Sequence, residues 1–150
     1  MTKFTKTFHF SAAHYLDNYV GKCGHIHGHN YILEVTVGTD SLFDDMVIES
    51  DKLKDLMKPL LDQLDHGFFI QSRGWFHTNV LQPGINTSFD LGEHENFFSN
   101  VIYLDGNPTT EIVAAYIHRW ITMTWHVVKN VKPEFLQVVL RETPTIEVTV

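Results

Sequence analysis

A single cysteine, Cys23, stands in this chain of 150 residues, so no internal disulfide can form. Such cysteine usage suits the reducing cytosol. No Lys/Arg run is present, and the formal net charge of −7 argues against a nucleic-acid surface. No apolar stretch is long enough to span a bilayer, and the opening Met1-Thr2-Lys3-Phe4-Thr5-Lys6 does not read as a signal peptide. Internal repeats, low-complexity tracts and a glycine-rich nucleotide-binding pattern are also lacking. What remains is one domain. Hydrophobic residues at 43% and aromatics at 13% argue for a folded globule, and the length is enough to bury a core.

What is abundant is histidine, with ten in the chain. Cys23-Gly24-His25-Ile26-His27-Gly28-His29-Asn30-Tyr31 packs three of them beside the cysteine. His27 and His29 are two apart, so on an extended backbone both imidazoles point to one face. A His-x-His pair on a strand is a two-point metal grip, and imidazole suits zinc at neutral pH. Residues 3–10 alternate Phe4, Lys6, Phe8 and Phe10 against polar neighbours and read as a half-buried strand. Ser11-Ala12-Ala13-His14 follows, placing His14 just past that strand's end as the best candidate for a third ligand. Residues 15–24 read as the loop into a second strand at about 29–38. That strand carries Tyr31, Leu33, Val35 and Val37 on one face and Ile32, Glu34 and Thr36 on the other.

Phe10-Ser11-Ala12-Ala13-His14, followed by Cys23-x-x-x-His27-Gly28-His29-Asn30-Tyr31, resembles the 6-pyruvoyltetrahydropterin synthase / 6-carboxytetrahydropterin synthase family. The resemblance implies a zinc ion held by His14, His27 and His29, with Cys23 as catalytic base. His25 falls at a spacing that the family does not use for a ligand. Three residues between Cys23 and His27 are similar to the bacterial carboxytetrahydropterin branch.

Farther along, Ser50 is expected to cap a helix with apolar positions Leu53, Leu56, Met57, Leu60, Leu61 and Leu64. Pro59 inside it predicts a kink or a restart. Glu49-Ser50 stands where the family usually has Asp followed by an aromatic. Leu64-Asp65-His66 matches a family motif, and a carboxylate beside an imidazole can tune it as a proton donor or relay. Residues 67–106 read as an insertion that leaves His77 and His94 as non-ligands, with a short strand at 101–104 near its end. Asn107-Pro108-Thr109-Thr110-Glu111 opens a second helix, with Ile112, Tyr116, Trp120, Met123 and Val127 as its expected buried stripe. Residues 135–142 and 145–150 read as a hairpin turning near Thr143-Pro144. The resemblance implies that Thr109, Thr110 and Glu142 bind the pterin, and it places Glu142 with Cys23, Asp65 and His66 among the catalytic groups.

These elements predict one α+β domain, a four-stranded antiparallel sheet with two helices on one face. The resemblance implies the tunnelling fold, in which subunits close into a trimeric barrel and two barrels commonly form a homohexamer. It further implies a cytoplasmic, zinc-dependent lyase acting on the small molecule 7,8-dihydroneopterin triphosphate. The products would be 6-carboxy-5,6,7,8-tetrahydropterin, acetaldehyde and triphosphate, in the queuosine or another deazapurine pathway. Two alternatives stay open from sequence: the sister 6-pyruvoyltetrahydropterin synthase, and a zinc- and pterin-binding module without turnover.

Overall fold

The structure is a computed structural model, described here over residues 1–81, 99–129 and 131–150. Strands β1 (Thr2–His14) and β2 (His27–Thr39) pair antiparallel over their whole length, from Thr2 opposite Thr39 to His14 opposite His27. Alternation sets their faces. Phe8, Phe10 and Ala12 of β1 and Tyr31, Leu33, Val35 and Val37 of β2 are buried. Thr5, Thr7 and His9 are exposed on the opposite side of β1. His14 is thus the last residue of β1, not a loop residue past its end.

The sheet has six strands in the order β4-β3-β1-β2-β5-β6, not four. Antiparallel β5 (Phe135–Thr143) and β6 (Ile146–Thr149) extend it beyond β2. On the other side β3 (Gly67–Gln71) runs parallel to β1, and β4 (Val101–Leu104) runs parallel to β3. The expected all-antiparallel sheet is therefore a mixed one. The cause lies in Phe68-Phe69-Ile70. This continuous apolar run gives none of the polar alternation that marks an antiparallel strand, as is usual for parallel strands. Two stretches of the interval 67–106 thus belong to the sheet, and His77 opens a short π-type turn, His77–Leu81. His94 lies outside the described residues.

Helix α1 (Ser50–Leu64) buries Leu53, Leu56, Met57, Leu60 and Leu64. It runs through Pro59 without a restart. Pro59 is exposed, where water can satisfy the carbonyl that loses its partner. The N-cap is Glu49, with no side-chain capping bond. Ser50 instead accepts a hydrogen bond from Lys6 Nζ at 2.7 Å. Helix α2 (Thr110–Thr124) packs into the same core. Its buried stripe is Thr110, Val113, Ala114, Ile117 and Ile121. The expected stripe is out of phase: Ile112, Met123 and Val127 are exposed, and Tyr116 and Trp120 are only partly covered. Truncation separates the two phases. Ile117→Ala should cost about 2–5 kcal/mol of unfolding free energy in a urea titration. Ile112→Ala should stay within about 0.5 kcal/mol of the parent. The reverse order would mean that the helix is rotated.

Candidate metal centre

The buried rows of β1 and β2 end in imidazoles. His14 faces His27 across the ladder, and His29 sits opposite Ala12, whose small side chain leaves room for a ring. Ring centroids are 4.3 Å apart for His14–His27, 5.0 Å for His14–His29 and 5.1 Å for His27–His29. One nitrogen from each ring lies within 4.8 Å of the others. Gly28 lets the strand ends close, because a Cβ there would come within 2.9 Å of the Ala12 carbonyl oxygen.

Two backbone carbonyls fix which nitrogen each ring presents. His14 Nδ1 lies 2.8 Å from the Pro108 carbonyl oxygen, and His27 Nδ1 lies 2.7 Å from that of His25. A carbonyl can only accept, so each Nδ1 carries the hydrogen and each Nε2 presents a lone pair. These two Nε2 atoms face each other at 2.9 Å. Two lone pairs so close need a proton or a cation between them. Burial, the largest influence, holds His14 below its ordinary imidazole range, with the Pro108 hydrogen bond opposing and His27 adding to the lowering. Burial likewise lowers His29, partly offset by Glu142. A metal ion therefore suits this donor set better than an imidazolium does, and nitrogens sharing one zinc at about 2.0–2.1 Å stand roughly 3.3 Å apart. The two carbonyls are the outer partners that ligating histidines ordinarily have.

Glu142 adds charge. Its Oε1 is 3.6 Å from His14 Nε2 and 3.7 Å from His29 Nε2, and the side chain is 11% exposed. It is the extra residue of a bulge where β5 slips against β6 between Arg141 and Thr143, a device that re-aims a side chain. Tyr31 Oη donates to Glu142 Oε1 at 3.4 Å. Burial and then the Glu142 charge raise the Tyr31 phenol well above its ordinary range, so it remains a neutral donor. A cavity of about 520 Å³, lined by His29, Asn30, Ile32, Arg141 and Glu142 among others, opens beside the carboxylate.

On the other side of His29 lies a second cavity of about 400 Å³, which His66 lines with Ser11, Ala13 and Asn30. His66 has φ 58°, an uncommon conformation for a non-glycine residue. Ser11 holds the Asp65–His66 pair at both backbone groups. Its N–H donates to Asp65 Oδ1 at 2.8 Å, and its carbonyl accepts from the His66 N–H at 2.6 Å. That Ser11 bond is the main reason the Asp65 carboxyl lies below its usual range, with the His66 hydrogen bond adding less. Asp65 Oδ2 meets His66 Nδ1 at 3.0 Å, but the ring is 86% exposed, so the pair holds its partner only weakly.

Cys23 sits half-buried on a short 3-10 turn, Lys22–Gly24, and the nitrogen cluster does not include it. Thr109 is the N-cap of α2 and Thr110 is buried behind it. Neither lines the cavity beside Glu142. Their helix start reaches the centre through the preceding Pro108 carbonyl. Sequence reasoning missed Pro108, the His25 carbonyl and Tyr31. Backbone carbonyls leave no mark in residue type, whereas Tyr31 continues the two-residue spacing of His27 and His29. His77 lies away from the cluster, accepting the Arg73 N–H at its Nδ1.

Fold and site together define an α+β protein with a three-histidine candidate metal centre at one end of its sheet. The family model for 6-pyruvoyl tetrahydropterin synthase matches residues 3–150, and the chain belongs to that family. A relative from Rickettsia conorii, 6-carboxy-5,6,7,8-tetrahydropterin synthase, is 30% identical over 148 residues, covering 96% of each chain. An Aquifex aeolicus protein of the same name is 38% identical over 82 residues, 44% of this chain and 51% of that one, so the match spans about half its length. The solved Caenorhabditis elegans 6-pyruvoyl tetrahydropterin synthase superposes with a TM-score of 0.63 at 26% identity, covering 99% of this chain and 94% of that one.

Metal analysis of the purified protein should find one divalent ion per chain. His27→Ala should lose most of it while keeping its circular dichroism. A full metal complement in that variant would remove the three imidazoles from consideration as the ligand set.

Proposed function

We propose that this protein is a cytoplasmic zinc-dependent lyase that converts 7,8-dihydroneopterin triphosphate and one water to 6-carboxy-5,6,7,8-tetrahydropterin, acetaldehyde and triphosphate, supplying queuosine or another deazapurine. The observation that carries the reading is the three converging imidazoles, two of them held with Nε2 inward, with the Glu142 carboxylate beside them. The curated relatives described above carry the 6-carboxy name. The solved C. elegans relative carries the 6-pyruvoyl name, and that sister reaction is the second reading.

Zinc, when held by His14, His27 and His29, supplies Lewis acidity to a hydroxyl of the substrate side chain. Glu142 accepts hydrogen bonds from the pterin 2-amino and ring N–H groups, the flat bidentate match that a carboxylate offers. The adjoining cavity of about 520 Å³ has the size of a small-molecule site. The reading also assigns Thr109 and Thr110, at the start of α2, to the pterin, although neither lines that cavity within one copy. Cys23, as thiolate, removes a proton from the side chain. The Asp65–His66 pair passes protons on as triphosphate leaves.

His66 and Glu142 open onto different cavities on either side of His29. Among the described residues the sheet also ends in two strands, β4 and β6, that each pair on one side only, a liability that closure with other copies removes. The reading therefore includes assembly into a trimeric barrel or a pair of barrels, with His66 of one copy serving the centre of another.

Incubation with dihydroneopterin triphosphate should release acetaldehyde and 6-carboxytetrahydropterin. Cys23→Ala should keep its metal and lose turnover. A pyruvoyl product without acetaldehyde would select the sister reaction, and no product at all would leave a binding module. Inactive Cys23→Ala and His66→Ala chains should partly restore activity when mixed and reassembled. A fully active monomer would rule out sharing between copies.

A further inference from the structure

Asp17 is 5% exposed, yet among the described residues no Lys, Arg or His pairs with it. Its Oδ2 accepts the Trp75 N–H at 2.7 Å, the Tyr15 hydroxyl also meets the carboxylate, and among the described residues its Oδ1 has no partner. Burying a carboxylate in this way is costly, so its geometry is held for a reason. Gly74 shows how tightly: a Cβ there would overlap Asp17 Oδ2 at 1.8 Å. The backbone of Asp17 is gripped twice by one side chain. Its N–H donates to Asn107 Oδ1 at 2.7 Å, and Asn107 Nδ2 donates to its carbonyl oxygen at 3.0 Å. Two bonds to one carboxamide fix angle as well as distance.

The next residue after Asn107 is Pro108, whose carbonyl oxygen takes the His14 Nδ1–H at 2.8 Å. Asp17 itself is three residues beyond His14. The path from His14 through Tyr15 and Leu16 to Asp17, across to Asn107 and Pro108, and back to the His14 ring is therefore a closed ring of covalent and hydrogen bonds. The Cys23 turn hangs on it, because the Leu16 N–H donates to the Cys23 carbonyl oxygen at 3.3 Å.

We propose that Asn107 is a positioning residue that, through the backbone of Asp17, locks the Cys23 loop to the strand end bearing His14. The inference rests on the preceding reading for the role of Cys23 in turnover, and on the hydrogen bonds alone for the lock. Releasing it frees the thiol from its set place while leaving all three imidazoles in the chain.

The test uses the chain's single cysteine as its own probe. Alkylation of Cys23 by iodoacetamide, metal content, and kcat and KM for dihydroneopterin triphosphate are measured in full-length variants. Asn107→Ala should change the alkylation rate about tenfold, upward, and lower kcat by about as much, the loss expected for one or two hydrogen bonds, whereas Asp17→Ala, which keeps both backbone bonds to Asn107, should leave both near the parent. KM and metal content should stay at the parent level. Asp17→Asn keeps an oxygen for the Trp75 N–H and should behave as the parent in every measurement. Should Asp17→Ala fail to fold, Asn107→Asp retains the acceptor for the Asp17 N–H, and its rate should fall between those of the parent and Asn107→Ala. Parent-like alkylation in both Asn107 variants would overturn the proposal. So would Asp17→Asn with parent alkylation and lost turnover, which would make the charge itself the working feature. If the parent does not turn over the substrate, the functional reading fails while the alkylation comparison still decides the lock.

Discussion

The register of β1 against β2 is the constraint on which the rest depends. One face of this ladder carries Phe8, Phe10 and Ala12 against Leu33, Tyr31 and His29, and it ends with His14 against His27. The core and the candidate metal centre are therefore successive stretches of the same two rows. Because side chains alternate with a period of two, a slip of one residue would send the slipped strand's whole row, apolar residues and imidazoles together, to the solvent side. Apolar burial, at roughly 25 cal/mol per Å², holds the register that converges the imidazoles. Selection for a stable core and selection for a metal site act here on one geometric variable.

The ladder brings three rings together but does not set their tautomers. That comes from the Pro108 carbonyl at the start of α2 and the His25 carbonyl before β2. His25 thus contributes through its backbone, although its ring is not a ligand. Helix α2 packs on the sheet through Val113, Ala114, Ile117 and Ile121, so the position of Pro108 follows from how that helix seats. A change in the helix stripe would reach His14 through one hydrogen bond, with no contact to the centre itself.

Legibility in the sequence followed the strength of the periodic signal. The alternation of β1 and β2, the leucine stripe of α1 and the hairpin after residue 134 were all readable. So was the shared face of His27 and His29, because two-residue spacing on a strand translates directly into one; His14 was readable as their neighbour, though as a loop residue and not as the last residue of β1. β3 was not, since Phe68-Phe69-Ile70 carries no alternation and its partner strand is parallel and remote. The phase of α2 was misread for another reason: Ile112, Tyr116 and Met123 make one apolar stripe, and Val113, Ile117 and Ile121 make another, so periodicity alone could not select between them. The seat of Glu142 also depends on a β-bulge, which a list of residue types does not reveal. The groups that orient the imidazoles are backbone carbonyls, and every residue has one.

Charge balance gives the arrangement its direction. Glu142 is nearly buried, and the groups around its Oε1 are a neutral phenol and two imidazoles that burial keeps toward the neutral form. Arg141, the adjacent cation, lines the same cavity but is paired at 2.7 Å with both Glu34 and Glu147. A carboxylate held so far from compensating charge costs several kcal/mol, unless something positive completes its surroundings. A divalent ion held by the three imidazoles would do so and would leave one net positive charge over four protein groups. The acidic residue at the bulge and the basic ring nitrogens at the strand ends thus make sense only as a set.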